Sequence, residues 1–184
     1  MYTPRRILFG GLFVALTATL AACAVPSPMG KSPMLGVAAN PEQVAGLDIS
    51  IPPSGAGLPK GSGSARQGLK AYEQKCLACH GDKGVGKPAD KLAGGIGTLA
   101  SKAPVRTVGS YWPYATTLFD YVRRSMPLTN PLSLSDDEVY AISAYVLFIN
   151  GIVAEDAVMN AQTLPQVKMP NRDGFISDWP VRAH

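Results

Sequence analysis

Cysteine and histidine are scarce in this chain, which has three cysteines and two histidines among its 184 residues. Net charge is also low, and a formal value of +4 is too small to indicate a nucleic-acid-binding protein by itself. Long apolar runs are lacking too. The apolar run at residues 7–20 is shorter than a membrane-spanning helix requires. Three of these five scarce residues lie within five consecutive positions: Cys76, Cys79 and His80.

The first 22 residues have the features of an export signal. Arg5 and Arg6 form a basic start, the apolar run follows, and small residues precede Cys23. Residues 20–23, Leu-Ala-Ala-Cys, resemble the bacterial lipoprotein box, which implies that Cys23 becomes the first mature residue and carries lipid. We therefore expect a lipoprotein signal peptide at 1–22 and a membrane-anchored protein on the periplasmic side. The alternatives are a retained anchor helix, or a Cys23 that is merely a small apolar residue.

Residues 23–62 are predicted to form a tether. They are rich in proline, glycine and serine and show no sustained helical period. Fully extended, such a segment would span about 120 Å. Residues 47–51 alternate between apolar and polar side chains, so a short docked strand is the alternative to a linker at that point.

Three helices are predicted for the folded part. The first begins at the N-cap Ser64 and leads to the cysteine cluster, and the costly Gly68 inside it indicates close packing. The second begins near Pro113, which suits a first helical position. The third starts with a capping box at Ser135, has apolar residues at helical spacing, and stops at Gly151. We therefore expect an all-α domain of modest core.

Two further segments complete the prediction. Residues 81–110 are rich in glycine and lysine and are predicted to be a loop. Residues 152–184 are predicted to be a tail with a short helical pattern at 155–160. The folded domain is therefore expected at 63–151.

The motif Cys76-x-x-Cys79-His80 is the attachment signature of c-type haem. Its spacing lets two thiols reach two vinyl groups on one edge of the porphyrin and then places an imidazole under the iron. A closed zinc site would need four ligands, and too few candidates lie nearby. A thioredoxin-type dithiol would need a strand–helix setting that the sequence does not show. The motif therefore predicts haem c, and a single motif predicts one covalent haem.

The pattern around the motif resembles a class I cytochrome c. Gly68-x-x-x-Tyr72 precedes the cysteines, and the resemblance covers about residues 63–150. It implies three core helices around one haem, with Gly68 and Tyr72 facing Tyr140, Ala144 and Tyr145 of the last helix. The family has a proline whose carbonyl accepts a hydrogen bond from the ligating histidine, and Asp90 stands at the corresponding position here.

The resemblance also implies a methionine as the sixth ligand of the iron. Met126, followed by Pro127, lies between the second and third helices, where class I cytochromes place this ligand. Met169-Pro170 repeats the pair and is the rival, although it lies beyond the third helix. We therefore predict His80 and Met126 as the axial ligands.

Residues 107–176 resemble, more narrowly, the cytochrome subunit of bacterial sulfite or sulfane dehydrogenases. The resemblance implies a chain that carries single electrons from a molybdenum-containing sulfur dehydrogenase subunit to a downstream cytochrome or terminal oxidase. No substrate chemistry is expected on such a chain, because the iron would be coordinated on both faces. The alternatives are a general membrane-tethered respiratory shuttle without a dedicated dehydrogenase, and a haem enzyme or gas sensor with a displaced sixth ligand.

The charges are unevenly distributed along the chain. Residues 60–106 contain nine Lys and Arg against three Asp and Glu, whereas residues 107–184 contain five against eight. The basic half could steer an acidic partner, although a merely solvated face is an equally good explanation. The tail at 152–184 is predicted to be a contact extension for the dehydrogenase, and no nucleic acid partner is expected.

Overall fold

The computed structural model describes residues 36–176, which divide into two compact units at residues 47 and 48. The predicted signal peptide and Cys23 lie outside the described residues. In the first unit, helix α1 (Pro41–Leu47) has no buried residue. Among the described residues, no helix combines the length and apolar character needed to cross a membrane.

Helix α2 (Ala65–Lys75) begins as the sequence predicts. The Ser64 hydroxyl accepts a hydrogen bond from the Gln67 N–H, and the Gln67 side chain accepts one from the Ser64 N–H at 2.8 Å. These reciprocal bonds satisfy two backbone donors that a helix start otherwise leaves without partners. Helix α3 (Leu77–His80) follows after Cys76 and contains the rest of the predicted haem-attachment motif.

Three more helices follow the glycine-rich loop. Helix α4 (Val108–Tyr111) was not expected, because its short sequence lies in the predicted loop, but Thr107 and Ser110 form a capping box around it. Helix α5 (Ala115–Ser125) begins two residues after Pro113. Helix α6 (Asp136–Ile149) begins at the predicted capping box of Ser135.

Helices α2 and α6 pack closely because Gly68 has no side chain. A Cβ atom at Gly68 would overlap the Ala141 carbonyl and lie 2.8 Å from the Tyr145 Cβ. The Tyr72 and Tyr145 rings meet at this crossing with centroids 5.0 Å apart. The close approach that the sequence predicts at Gly68 is therefore present, and Ala141 forms its centre.

The core lies between the long helices and extends into the tail. Its largest fully buried side chains include Tyr72, Phe119, Tyr140, Ile142, Leu147 and Leu164. The fold is therefore the all-α arrangement predicted for residues 63–151, with additional segments packed against it.

Residues 48–62 differ from the predicted tether because they pack on the helices. Ile51 is buried, and its N–H donates to the Asp120 carboxylate at 2.8 Å. The Tyr140 hydroxyl donates to the Pro59 carbonyl at 2.9 Å, and burial raises the pKa of Tyr140 to about 12. These partners are distant in sequence, so composition alone gave no sign of the contacts.

The tail also differs from its prediction. Residues 158–160 form a strand, β2 (Val158–Asn160), rather than a helix, because they pair antiparallel with β1 (Ser62–Ser64). In this pairing Gly63 lies opposite Met159. The remainder of the tail continues over the core, and three of its apolar side chains are buried: Met159, Leu164 and Met169.

Candidate functional site

The predicted attachment residues form one tight turn after α2. The His80 N–H donates to the Cys76 carbonyl at 2.9 Å, and the Cys79 N–H approaches the same oxygen at 3.1 Å. Cys76 is partly buried and Cys79 is exposed, and neither is in a disulfide. The turn therefore leaves both thiols and one imidazole available at a single edge of the domain.

His80 is oriented through its ring nitrogen. Its Nδ1 lies 2.9 Å from the Asp90 carbonyl oxygen. A protonated Nδ1 donating to this carbonyl leaves Nε2 as the ligating atom, and such a bond raises the basicity of a metal-bound histidine. The departure from the family pattern at Asp90 is therefore harmless to this bond, because the contact uses only the backbone.

A cavity of about 230 Å³ lies beside His80. Nearly all of its lining is apolar and comes from α2, α5 and α6 as well as the connecting loops. Its lining residues include Cys76, Cys79, His80, Leu92, Trp112, Leu118, Tyr121, Met126, Ile142 and Val146. Leu128 also lines it and is 78% exposed, so the cavity reaches the surface at that side.

The lining of the cavity suits a haem group. A planar, largely apolar macrocycle suits the lining, and the two thiols and the imidazole lie together at one part of the wall. Within residues 36–176, no group of three or more His, Cys, Asp and Glu side chains converges as a metal site.

Met126 and Met169 are separated by the structure. Met126 follows the last residue of α5, its N–H donates to the Val122 carbonyl at 3.1 Å, and it lines the cavity together with His80. Met169 lies in the tail, where its side chain packs into the core and is 3% exposed. It does not line the cavity. The geometry therefore favours Met126 over its rival as an axial ligand.

Two polar groups at the cavity wall, one buried and one partly buried, keep neutral forms. The Tyr72 hydroxyl donates to the Gly81 carbonyl at 2.8 Å, and burial raises the pKa of Tyr72 to about 12. Burial also raises the pKa of the Cys76 thiol to about 11, although Lys75 opposes the shift. Both groups therefore remain protonated at neutral pH in the protein chain itself.

One residue of the cavity lining belongs to an ion pair. Lys75, which lines the cavity, contacts Glu138 at the start of α6 with an Nζ–Oε1 distance of 2.6 Å. The hydrogen bond from Lys75 and the backbone bond from Ser135 hold the pKa of Glu138 below its usual value. The pair joins the end of α2 to the beginning of α6 directly beside Cys76.

Some site residues were not found by sequence reasoning. Trp112 and Tyr121 line the cavity with their rings edge to face, at a centroid distance of 5.7 Å. Asn150 is buried and binds the loop after His80. Aromatic and amide residues have no spacing signature of their own, so only the contacts reveal these roles.

Comparison with known proteins agrees with this geometry. A family model described as cytochrome C oxidase, cbb3-type, subunit III matches residues 63–146. No protein in the curated comparison matches the chain significantly. A solved structure, that of the sulfane dehydrogenase SoxCD from Paracoccus pantotrophus, contains a chain that is 43% identical. The match covers 79% of this chain and 72% of that one, with a TM-score of 0.74.

The fold, the haem-attachment turn and the cavity together define a class I c-type cytochrome, and the chain belongs to this class. Members of this class hold haem c covalently and transfer electrons. Within it, the chain resembles the cytochrome subunit of bacterial sulfite or sulfane dehydrogenases, as residues 107–176 predict.

Proposed function

We propose that this chain binds one haem through Cys76 and Cys79 and carries single electrons from a molybdenum sulfur dehydrogenase subunit to a downstream cytochrome or terminal oxidase. The observation that carries the proposal is the apolar cavity whose wall contains the attachment turn, His80 and Met126. The 43% identity to a chain of the sulfane dehydrogenase SoxCD supports the choice of partner.

In this proposal a bound haem would supply the one-electron redox chemistry, and the protein would keep its surroundings constant. His80 and Met126 would both ligate the iron, which would leave no free coordination site for water or substrate. Apolar side chains such as Leu118 and Val146 line the cavity and would exclude water from it. The exposed Leu128 lies where the cavity reaches the surface, and exchange with a partner is expected at that side.

The haem assignment is tested by chemistry and by a pair of methionine variants. Acid-acetone extraction should leave the haem on the polypeptide, and a pyridine haemochrome assay should give one haem per chain. The oxidised protein should show the weak far-red charge-transfer band of axial thioether ligation. Met126→Ala should abolish this band, and Met169→Ala, the matched control, should retain it. Extractable haem, or the reverse pattern, would contradict the assignment.

The partner assignment is tested by purification from detergent-solubilised native membranes. A molybdenum-containing subunit should co-purify in equal amount, and reduction by its sulfur substrate should reach this haem. The alternative function, a general respiratory shuttle, predicts purification without molybdenum and reduction by unrelated donors. The haem enzyme or gas sensor predicts ready binding of an external ligand such as carbon monoxide, which bound Met126 should prevent.

The tail remains a proposed contact element for the dehydrogenase, but only its outer face is available. Met159, Leu164 and Met169 face the core, whereas Ile176 is 94% exposed. Ile176→Asp should therefore weaken the dehydrogenase complex and leave the haem spectrum unchanged. If the complex is unaffected, the tail only stabilises the haem domain.

We also propose that Cys23 is lipidated and holds the protein on a membrane at its periplasmic side. The support is the Leu-Ala-Ala-Cys sequence after the export signal, and two acyl chains are sufficient for stable attachment. Cys23→Ser should release a soluble or uncleaved form that keeps its haem. Mass spectrometry that shows cleavage elsewhere without lipid would contradict the proposal.

A further inference from the structure

Asn150 is the C-cap residue of α6. Its side-chain amide is buried, and both the amide nitrogen and the amide oxygen form hydrogen bonds. Its Nδ2 donates to the Val146 carbonyl at 2.8 Å and to the Leu92 carbonyl at 3.1 Å. Its Oδ1 accepts from the Gly94 N–H at 3.1 Å. Burying such a group is tolerated only when its hydrogen bonds are made, so its position is well determined.

The loop that Asn150 binds is the one that orients His80. Asp90, whose carbonyl faces His80 Nδ1, lies two residues before Leu92. On the other side of Asp90, the Ala89 N–H donates to the Cys79 carbonyl at 2.9 Å. The Asp90 carbonyl is therefore held between an attachment to the haem turn and an attachment to the end of α6.

Helix α4 and the loop at residues 90–94 leave space for the Asn150 side chain. A Cβ atom at Gly109, in α4, would overlap the Asn150 Oδ1, so glycine leaves the space that the amide occupies. Thr107, the N-cap of α4, donates its hydroxyl hydrogen to the Gly94 carbonyl at 2.6 Å. Helix α4, the loop and the end of α6 thus meet at Asn150.

A capping role alone does not account for the arrangement. Capping α6 requires a bond to a carbonyl of its own last turn, and the bond to Val146 supplies that. The bonds to Leu92 and Gly94 join residues 58 and 56 positions away in sequence. These two bonds act on the loop together with the backbone bonds from the Leu92 and Ala93 N–H groups to the Gly84 carbonyl. They are the side-chain bonds that tie the loop to α6, and the loop presents the Asp90 carbonyl.

We propose that Asn150 is a positioning residue that holds the 90–94 loop so that the Asp90 carbonyl accepts the hydrogen bond from His80 Nδ1. Through this bond Asn150 sets the basicity of His80 and thereby the reduction potential of the haem. The inference rests on the proposed function, in which His80 ligates the iron. A hydrogen bond to Nδ1–H makes the imidazole a stronger donor and favours the oxidised iron.

The test uses the haem-loaded full chain with Asn150→Ala. In the reduced protein, the NMR signal of the His80 Nδ1 proton should exchange with solvent faster than in the wild type, because the hydrogen bond that protects it is weakened. The midpoint potential should rise, because a less basic imidazole stabilises the oxidised iron less. Asn150→Asp keeps the acceptor for Gly94 but loses both donors, so it should shift both quantities in the same direction.

Two controls separate positioning from general stability. Ser64→Ala weakens the first turn of α2 at a residue that does not line the cavity, and it should lower the Tm without moving the potential or the proton exchange. Asn160→Ala removes an amide that accepts from Gln162 and Thr163 in the tail, and it should also leave both quantities unchanged.

Each outcome decides between the proposals. Haem-loaded Asn150→Ala and Asn150→Asp with wild-type proton exchange and potential would overturn the positioning role. A Ser64→Ala variant with an equal shift would overturn it as well, because the effect would then follow stability. A wild-type protein without covalent haem, or with haem not bound to His80, would instead overturn the proposed function itself.

Discussion

The helices around the cavity and the two segments that flank them are stabilised in different ways. Helices α2 and α6 each begin with a reciprocal capping box formed by residues three positions apart. The flanking segments, 48–62 and 152–176, are fixed by contacts with residues far away in sequence, such as the pairing of β1 with β2. Short-range signals therefore define the haem-binding helices, and long-range contacts add a second layer to the same core.

The difference shows that composition is a poor guide to flexibility here. Glycine in residues 55–61 suggests a linker, but Gly55 packs so closely on the tail that a Cβ atom there would lie 2.6 Å from the Pro165 Cγ. The glycine is needed for close approach rather than for mobility. A segment that looks like a tether is thus part of the domain.

The largest expected effect tests whether the tail belongs to the core. Truncation after Asn160 removes Leu164 and Met169, which are 0% and 3% exposed. Each buried side chain contributes about 1.5–3 kcal/mol, so the free energy of unfolding should fall by about 3–6 kcal/mol in urea titrations of the haem-loaded protein. Truncation after Pro170 keeps both side chains and is the control. Equal stability of the two truncated proteins would contradict the packing.

A smaller effect is expected at the crossing of α2 and α6. Gly68→Ala forces a methyl group against the Ala141 carbonyl and should reduce the free energy of unfolding by about 1–3 kcal/mol. Gly46→Ala is the matched control, because no atom lies within 4 Å of its added Cβ and alanine favours a helix. If both variants were equally stable, the close crossing would be wrong.

The attachment of the N-terminal flank should depend on pH. Burial alone would raise the pKa of Asp120, but hydrogen bonds from Arg124 and the Ile51 N–H hold the pKa below its usual value. The folded state therefore favours the carboxylate. Its contribution is complete above the unfolded pKa of about 4 and is lost as the pH falls through the lower folded value.

The measurement is the Tm of the wild type and of Asp120→Asn across this acidic range. The wild type should be more stable near neutral pH, and the difference should shrink as the pH falls. Arg124→Gln, which keeps the Asp120 bond to Ile51, should show an intermediate pH dependence. A pH-independent difference would mean that the carboxylate charge has no role.

The smallest effect is expected at the cap that joins the flank to α2. Ser64→Ala removes the side-chain acceptor for the Gln67 N–H and should cost about 1 kcal/mol of unfolding free energy. Ser64→Thr keeps a hydroxyl acceptor and should recover most of the loss. Failure of threonine to recover stability would indicate that the pairing of β1 with β2, rather than the cap, is disturbed.

Much of the site could be predicted because its chemistry depends on residue type and spacing. The haem-attachment motif follows from local sequence, whereas the ligand position of Met126 and the role of the Asp90 carbonyl follow from the resemblance to class I cytochromes c. The Asp90 carbonyl oxygen does lie 2.9 Å from His80 Nδ1, as that resemblance implies. Trp112 and Asn150 could not be predicted, since nothing in their neighbouring residues shows what they contact.

The strands and the buried tail could not be predicted for a similar reason. Each strand has three residues, too few to show an alternating pattern. A helical pattern at 155–160 was outweighed by pairing with a distant segment. Met169 was assigned to a possible ligand role by its sequence resemblance to Met126, and its burial depends on the path of the whole tail.

Because residues 48–61 pack on the haem domain, the segment that connects this domain to a lipid at Cys23 would end at residue 47 rather than at residue 62. With Cys23 as the proposed lipid-bearing residue, 24 residues lie between it and residue 48, against 39 between it and residue 63. At about 3.1 Å per extended residue and about 1.5 Å per residue of α1, the greatest distance between membrane and domain would fall from about 120 Å to about 63 Å. If Cys23 anchors the chain as proposed, an electron acceptor would have to present its own redox centre within this shorter radius of the same bilayer, which would favour membrane-bound acceptors over proteins far from the surface.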